Sequence, residues 1–192
     1  MNSDQKLVQT IYKDLIFTEN EIKTIASVFK RVDAEKGAIL IKPGDIVTDI
    51  FFIYEGCLRT FYTDKHGKEH TIQIGIRDWW ISDFTAFFSN SKAIMHLEVL
   101  QDATLYQLSS VDREELHMQF PKIHKFIRNK LEKAYAAFQK RILSSLSMTA
   151  KERYLEFIKT HLNIEKNVKN YHIASYLGMT TESLSRIRKE LT

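Results

Sequence analysis

Cysteine is nearly absent from this 192-residue chain, and Cys57 stands alone. One thiol excludes an intrachain disulfide and any zinc or iron–sulfur site built only from one chain's cysteines. Proline occurs only at Pro43 and Pro121, and glycine only six times, which excludes collagen-like and low-complexity chains. No apolar run approaches the roughly 20 residues that span a bilayer. The N-terminus, MNSDQKLVQTIYKDL, is too polar for a signal peptide. Neither a G-x-S-x-G elbow nor a phosphate-loop glycine pattern occurs, and no catalytic constellation stands out. These absences predict a cytoplasmic protein with no membrane partner, no catalytic residues, no metal site and no cofactor. What is present is globular: 44% apolar residues and 11% aromatics, enough to build a core without staples.

The net charge of +4 conceals an asymmetry. Residues 1–120 carry 13 basic and 18 acidic side chains, whereas residues 121–192 carry 15 and 6. A basic end on an acidic body is the electrostatic footprint of a segment that meets a polyanion. A solvated basic helix surface has the same composition.

Glycine marks the same division. Gly37, Gly44, Gly56, Gly67 and Gly75 cluster, and Gly178 is isolated. Short strands are expected at Ala38–Ile41, Ile50–Tyr54, Cys57–Thr63 and Glu69–Ile76, with turns at Lys42–Asp45, Glu55-Gly56 and Asp64–Gly67. A later pair, Ile94–Leu100 and Ala103–Leu108, flanks Gln101-Asp102. Strands this short and regular predict a sandwich or barrel. Helix is expected at Thr18–Phe29, Asp83–Ser89 and from a Ser110 cap through Gln119. Pro121 suits the first turn of the next helix. In that helix Ile127, Leu131, Ala134, Phe138 and Arg141 or Ile142 recur by threes and fours. The stripe reads either as a dimer seam or as one amphipathic face packed on its own domain. Ser147–Thr149 breaks the helix, Thr149 and Glu152 form a T-x-x-E capping box, and His161–Lys169 is a polar connection.

The stretch Asn170–Leu191 carries the functional signal. Asn170 is expected to cap a helix ending near Leu177, Gly178 to end it in left-handed geometry, and Thr180 to cap the next helix. Ile173, Ala174, Leu177, Met179, Leu184 and Ile187 fall where two short helices must close on each other. This is a helix-turn-helix, or more simply a helical hairpin. Leu184 and Ile187 turn Thr181, Glu182, Ser185, Arg186 and Lys189 outward. An α-helix fits the major groove, where Arg donates twice to guanine and Glu accepts from cytosine. Arg188 and Lys189 are placed for phosphate contact.

In this order, these residues resemble the Crp/Fnr superfamily of bacterial transcription regulators, and in pattern its Bacteroidetes-type members. Pro43-Gly44-Asp45, followed by Phe52-Ile53-Tyr54-Glu55-Gly56-Cys57-Leu58-Arg59, looks like the family's P-G-[DE] turn and F-x-x-x-G-x-[LV]-[RK] hairpin. T-E-S-L-S-R-I looks like its recognition helix, with Glu182 and Arg186 at the base-contacting positions. Thr181 replaces an Arg of the cyclic-AMP-responsive members, which implies a different operator. The resemblance implies an α+β chain: an N-terminal jelly-roll sensor over 1–120, a long dimerisation helix over 121–146 and a helix-turn-helix DNA-binding domain over 147–192. The chain stops at Thr192, so a wingless domain is expected.

Two consequences follow for a ligand. Cyclic-AMP-binding members carry a G-E pair for the ribose and an R-[ST] pair for the phosphate. Here Ser82-Asp83 replaces the first, no Arg stands at the position of the second, and Lys92 is a weaker substitute. Lysine is a point charge rather than a fork. The implied function is therefore a homodimeric regulator that binds double-stranded DNA and answers to an unidentified small-molecule effector other than cyclic AMP. The alternative is a small-molecule-binding module whose helical C-terminus docks a protein. His66 and His70 straddle a turn rather than share a helix face. Cys57 is expected as a buried hydrophobe, and Trp79 and Trp80 as packing.

Overall fold

Six strands and eight helices are formed by the residues that the computed structural model describes, 2–160, 164 and 168–191. The strands are β1 (Lys30–Ala34), β2 (Ile39–Ile41), β3 (Asp49–Thr63), β4 (Glu69–Ile76), β5 (Trp80–Ile81) and β6 (His96–Ser109). The helices are α1 (Ser3–Ile11), α2 (Glu19–Ser27), α3 (Phe84–Ser89), α4 (Ser110–Gln119), α5 (Pro121–Ser147), α6 (Ala150–Thr160), α7 (Asn170–Leu177) and α8 (Thr181–Leu191). The sheet runs β1-β6-β3-β4, with β2 added on β6 and β5 on β3. β1 pairs antiparallel with β6 from Lys30 opposite Gln107 to Ala34 opposite Ala103. This is a β jelly roll followed by helices, the α+β class expected.

Two expected reversals are absent. Ile50–Tyr54 and Cys57–Thr63 belong to one 15-residue strand, and the later pair is one 14-residue strand. Gly56 is not a hairpin turn. It takes φ +102 inside β3, where a Cβ would lie 2.6 Å from Ala103 Cβ and 2.7 Å from Asp102 O. The two turn-like dipeptides, Glu55-Gly56 and Gln101-Asp102, mark the place where two long strands approach each other closely. Glycine is needed there for both its φ and its missing side chain.

Caps shift by one residue in two places. Ser109, not Ser110, caps α4, accepting from the Asp112 N–H at 3.0 Å. Lys169 occupies the N-cap of α7 without a side-chain bond, and Asn170 is the first helical residue. The Thr149–Glu152 box forms as expected, with Thr149 N–H donating to Glu152 Oε2 at 2.8 Å. A second box, Thr18 with Glu21, starts α2. Helix α1 was not anticipated; it buries Leu7, Val8 and Ile11.

The chain divides into two compact units. Residues up to 60 together with 74–130 form the first. Its core joins Val8, Ile25, Ile53, Leu58, Leu97, Val99, Leu105 and Ile123, all fully buried. Residues 61–73 together with 131–192 form the second. This partition differs from the three sequential segments expected. It cuts α5 between Lys130 and Leu131 and assigns the tip of the β3–β4 hairpin to the helical unit. Most of the connection expected at His161–Lys169 lies outside the described residues; of it, Ile164 and Val168 are buried.

Candidate nucleic-acid interface

In the helical unit, α7 and α8 form the helix pair that the sequence pattern announces. Gly178 ends α7 at φ +65, where its N–H reaches Ser175 O at 3.2 Å and the Met179 N–H reaches Ala174 O at 3.0 Å. These bonds satisfy the terminal carbonyls and turn the chain sharply. Thr180 caps α8 by accepting from the Ser183 N–H at 3.2 Å. Ile173, Ala174, Leu177, Leu184 and Ile187 are buried, and Tyr154 and Phe157 of α6 complete the core. Met179 is only half-buried.

Two arginines hold this pair in place. Arg153 of α6 donates Nε to Leu177 O at 2.9 Å, Nη1 to Met148 O at 2.7 Å and Nη2 to Gly178 O at 3.4 Å. One guanidinium thus joins the end of α5 to the turn between α7 and α8. Arg188 of α8 donates Nε to Tyr154 Oη at 3.1 Å and Nη1 to Asn170 Oδ1 at 2.6 Å. Arg188, expected at phosphate, instead has its Nε and Nη1 engaged by Tyr154 and Asn170 within the unit. The basic excess of the C-terminal half overstates what is offered to a polyanion.

The remaining face of α8 is open. Glu182, Ser185, Arg186 and Lys189 are exposed, and Thr181 is half-buried at its edge. Their spacing, i, i+3, i+4 and i+7, makes one stripe along the helix. The Thr181 hydroxyl donates to Glu182 Oε1 at 3.0 Å. The Glu182 carboxyl is held below the ordinary carboxylate range, first by its own main-chain N–H at the start of the helix and then by the Thr180 and Thr181 hydroxyls. A carboxylate kept charged in the first turn, with Arg186 one turn on, offers acceptor and donor chemistry on one narrow ridge.

In the first unit, the residues expected at a degenerate ligand site have main-chain work. Ser82 donates its hydroxyl to Asp49 O at 2.9 Å. Asp83 is buried and caps α3, accepting from Ala86 N–H at 3.1 Å, Ile94 N–H at 2.8 Å and Met95 N–H at 3.0 Å. Asp83 thus ties α3 to the following segment, while Ser82 is anchored to the start of β3. Lys92 is exposed beside an isolated bridge to Ile46. A pair the sequence reading missed is Arg59 with Glu98. Arg59 is buried on β3, and its Nε and Nη2 both lie 2.6 Å from Glu98 Oε2 on β6. The signal available was Arg59 closing the hairpin motif, with a glutamate on the partner strand.

Residues 31–120 match the cyclic nucleotide-binding domain family. The "Anaerobic regulatory protein" of Aggregatibacter actinomycetemcomitans is 21% identical over 184 residues, 88% of this chain and 70% of that protein. Among solved structures, the c-di-GMP-responsive global regulator CLP of Xanthomonas campestris aligns at TM-score 0.72 and 13% identity over 91% of each chain. FixK2 of Bradyrhizobium japonicum aligns at 0.73 and 14% identity, over 85% of this chain and 84% of its own. At these identities the structures establish a shared fold: a cyclic nucleotide-binding-type jelly roll with helices after it.

Other candidates fall into place around the cyclic nucleotide-binding-type domain. His70 Nε2 lies 2.9 Å from Asp64 Oδ2, and that carboxyl is held low first by this contact. Among the described residues no group of three or more His, Cys, Asp or Glu is placed to hold a metal ion. No described helix is long and apolar enough to cross a membrane. Cys57 is buried, and burial pushes its thiol up to about 12, so it is an inert hydrophobe. Trp80 packs edge-on against Phe52 at 5.4 Å, while Trp79 stays more than one-third exposed.

Proposed function

We propose that this chain is a cytoplasmic, homodimeric, sequence-specific DNA-binding transcription regulator of the Crp/Fnr type. The observation that carries the reading is the exposed stripe Glu182, Ser185, Arg186 and Lys189, with Thr181 at its edge, on a helix whose opposite face is sealed by Leu184 and Ile187. In this reading α8 enters the major groove, Arg186 donates to guanine, Glu182 accepts from cytosine or steers Arg186, and Lys189 meets phosphate.

Dimerisation runs through α5. Leu131, Tyr135, Phe138, Ile142, Leu143 and Leu146 are all exposed on the single chain. Large apolar side chains on successive turns of a 27-residue helix are what a second copy would cover. Of the expected stripe, Arg141 is engaged within its own unit, which leaves Ile142 as the seam residue.

The domain organisation proposed is a sensor over 1–120, a dimerisation helix over 121–146 and a reader over 147–192. The effector proposed for the jelly roll is a small molecule other than cyclic AMP. A buried cyclic phosphate wants a bidentate donor, and Lys92 is exposed while Asp83 is committed to three main-chain N–H groups.

The test is selection from a randomised palindromic DNA library at several salt concentrations. Enrichment of inverted half-sites about 34 Å apart, with affinity falling steeply as salt rises, is the expected result. Absence of enrichment together with salt-independent retention would favour a C-terminus that docks a protein.

A further inference from the structure

Strand β4 ends the sheet order, so its outer main-chain groups need a partner. Within the helical unit that partner is a side chain of α7, the first helix of the pair. The Ser175 hydroxyl, on α7, accepts from the Thr71 N–H at 2.9 Å and donates to Glu69 O at 2.9 Å. The C=O of one residue and the N–H of the residue two further on point to the same side of a strand. One hydroxyl therefore does for β4 what a residue of a neighbouring strand would do. A second bond lies beside it: Arg141 of α5 donates Nη1 to Ile72 O at 2.6 Å. The same guanidinium lies over the rings of Phe138 at 5.0 Å and Tyr176 at 4.7 Å. The hairpin tip, the long helix α5 and α7 meet here within one compact unit.

We infer that Ser175 and Arg141 are positioning residues for DNA reading, clasping the tip of the β3–β4 hairpin to α7 so that α8 is held ready for the groove. This rests on the DNA-binding reading proposed above. The clasp uses Ser175 on α7 and leaves Glu182, Ser185, Arg186 and Lys189 of α8 exposed, so a closed clasp is compatible with a bound duplex. Its contribution is preorganisation. A reader whose competent orientation is only fractionally populated binds more weakly by that fraction.

The experiment uses the full-length protein, the DNA selected by the wild type, and the variants Ser175→Ala, Ser175→Thr and Arg141→Gln. Hydrogen exchange at the Thr71 amide, read by NMR, reports the clasp directly. Ser175→Ala should speed that exchange about tenfold and weaken selected DNA about fivefold, the worth of an ordinary hydrogen bond. Ser175→Thr, which keeps the hydroxyl, should restore both. Arg141→Gln should weaken DNA by a similar factor, and the double variant by less than the product of the two. By linkage, selected DNA should slow Thr71 exchange in the wild type and not in Ser175→Ala; a bond that only supports the fold would not respond to DNA. Unchanged exchange in Ser175→Ala, an unchanged or raised DNA affinity, or exchange indifferent to DNA would each overturn the inference. A wild type that selects no DNA would sink the regulator reading and this inference together. A wild type that selects DNA beside an indifferent variant would sink the inference alone.

Discussion

Arg186 and Arg188 stand two residues apart on α8, and their neutralisation should separate function from stability. Arg186 is exposed and makes no hydrogen bond or ion pair among the described residues, so Arg186→Ala should leave stability within about 0.5 kcal/mol of wild type. Against the selected operator it should cost about 1–3 kcal/mol and relax preference at one base pair per half-site. Arg188 is the reverse case. Its guanidinium donates to the hydroxyl of Tyr154, which is 3% exposed, and to the Asn170 amide oxygen, and it lies 5.6 Å from the Tyr154 ring centroid. Hydrogen bonds from a charged donor contribute about 1.5–3 kcal/mol each when buried. The Asn170 bond is at the surface and counts for less, so Arg188→Ala should destabilise by about 2–3 kcal/mol in all. The assays are urea unfolding followed by circular dichroism and a fluorescence binding titration on each protein. Lys189→Ala is the control: it should weaken all sequences equally and flatten the salt slope by about one unit. A stable Arg188→Ala protein with lost DNA affinity would refute the assignment of that fork to the interior. Equal, sequence-independent losses for Arg186→Ala and Lys189→Ala would refute base reading by Arg186.

Three further outcomes are expected. Leu131→Glu with Phe138→Glu should give monomers in sedimentation and abolish operator binding, and a double variant that stays dimeric would remove α5 as the seam. Calorimetry should find no submicromolar binding of cyclic AMP, because Lys92, the cation expected near the phosphate, is exposed and is no fork; tight binding would show that another residue supplies it. Gly56→Ala should lower stability by about 3–5 kcal/mol, combining a positive φ with overlap against main-chain atoms of Asp102 and Ala103. Gly37→Ala, at φ +88 but with nothing within 4 Å of the new Cβ, should cost about 1 kcal/mol, and similar urea midpoints for the two variants would contradict the close approach at Gly56.

The C-terminal reading was legible because its information is local. A cap, a left-handed glycine and apolar residues spaced by threes and fours are properties of neighbouring residues, and Thr180, Gly178, Leu184 and Ile187 behave as their spacing requires. The same local logic announced α5 from Pro121 and the capping box at Thr149. Where residues had two uses, the chain alone could not choose between them. Gly56 suits a turn or a close approach, and only Ala103 across the sheet decides for the second. Asp83 was expected at a ligand site from its place in the chain alone, and its bonds to the main chain of Ile94 and Met95 emerge only when that segment folds back. Arg188 looks like any basic residue at a helix end until Tyr154, 34 positions earlier, comes within hydrogen-bonding distance. Composition and periodicity determined a short-stranded sandwich or barrel, the long helix and the outward face of α8, while the jelly roll came from the family resemblance. Which arginines point outward, and which serine clasps a strand, was decided by partners far away in sequence, because a side chain's role is set by whatever polar group the fold brings to its tip.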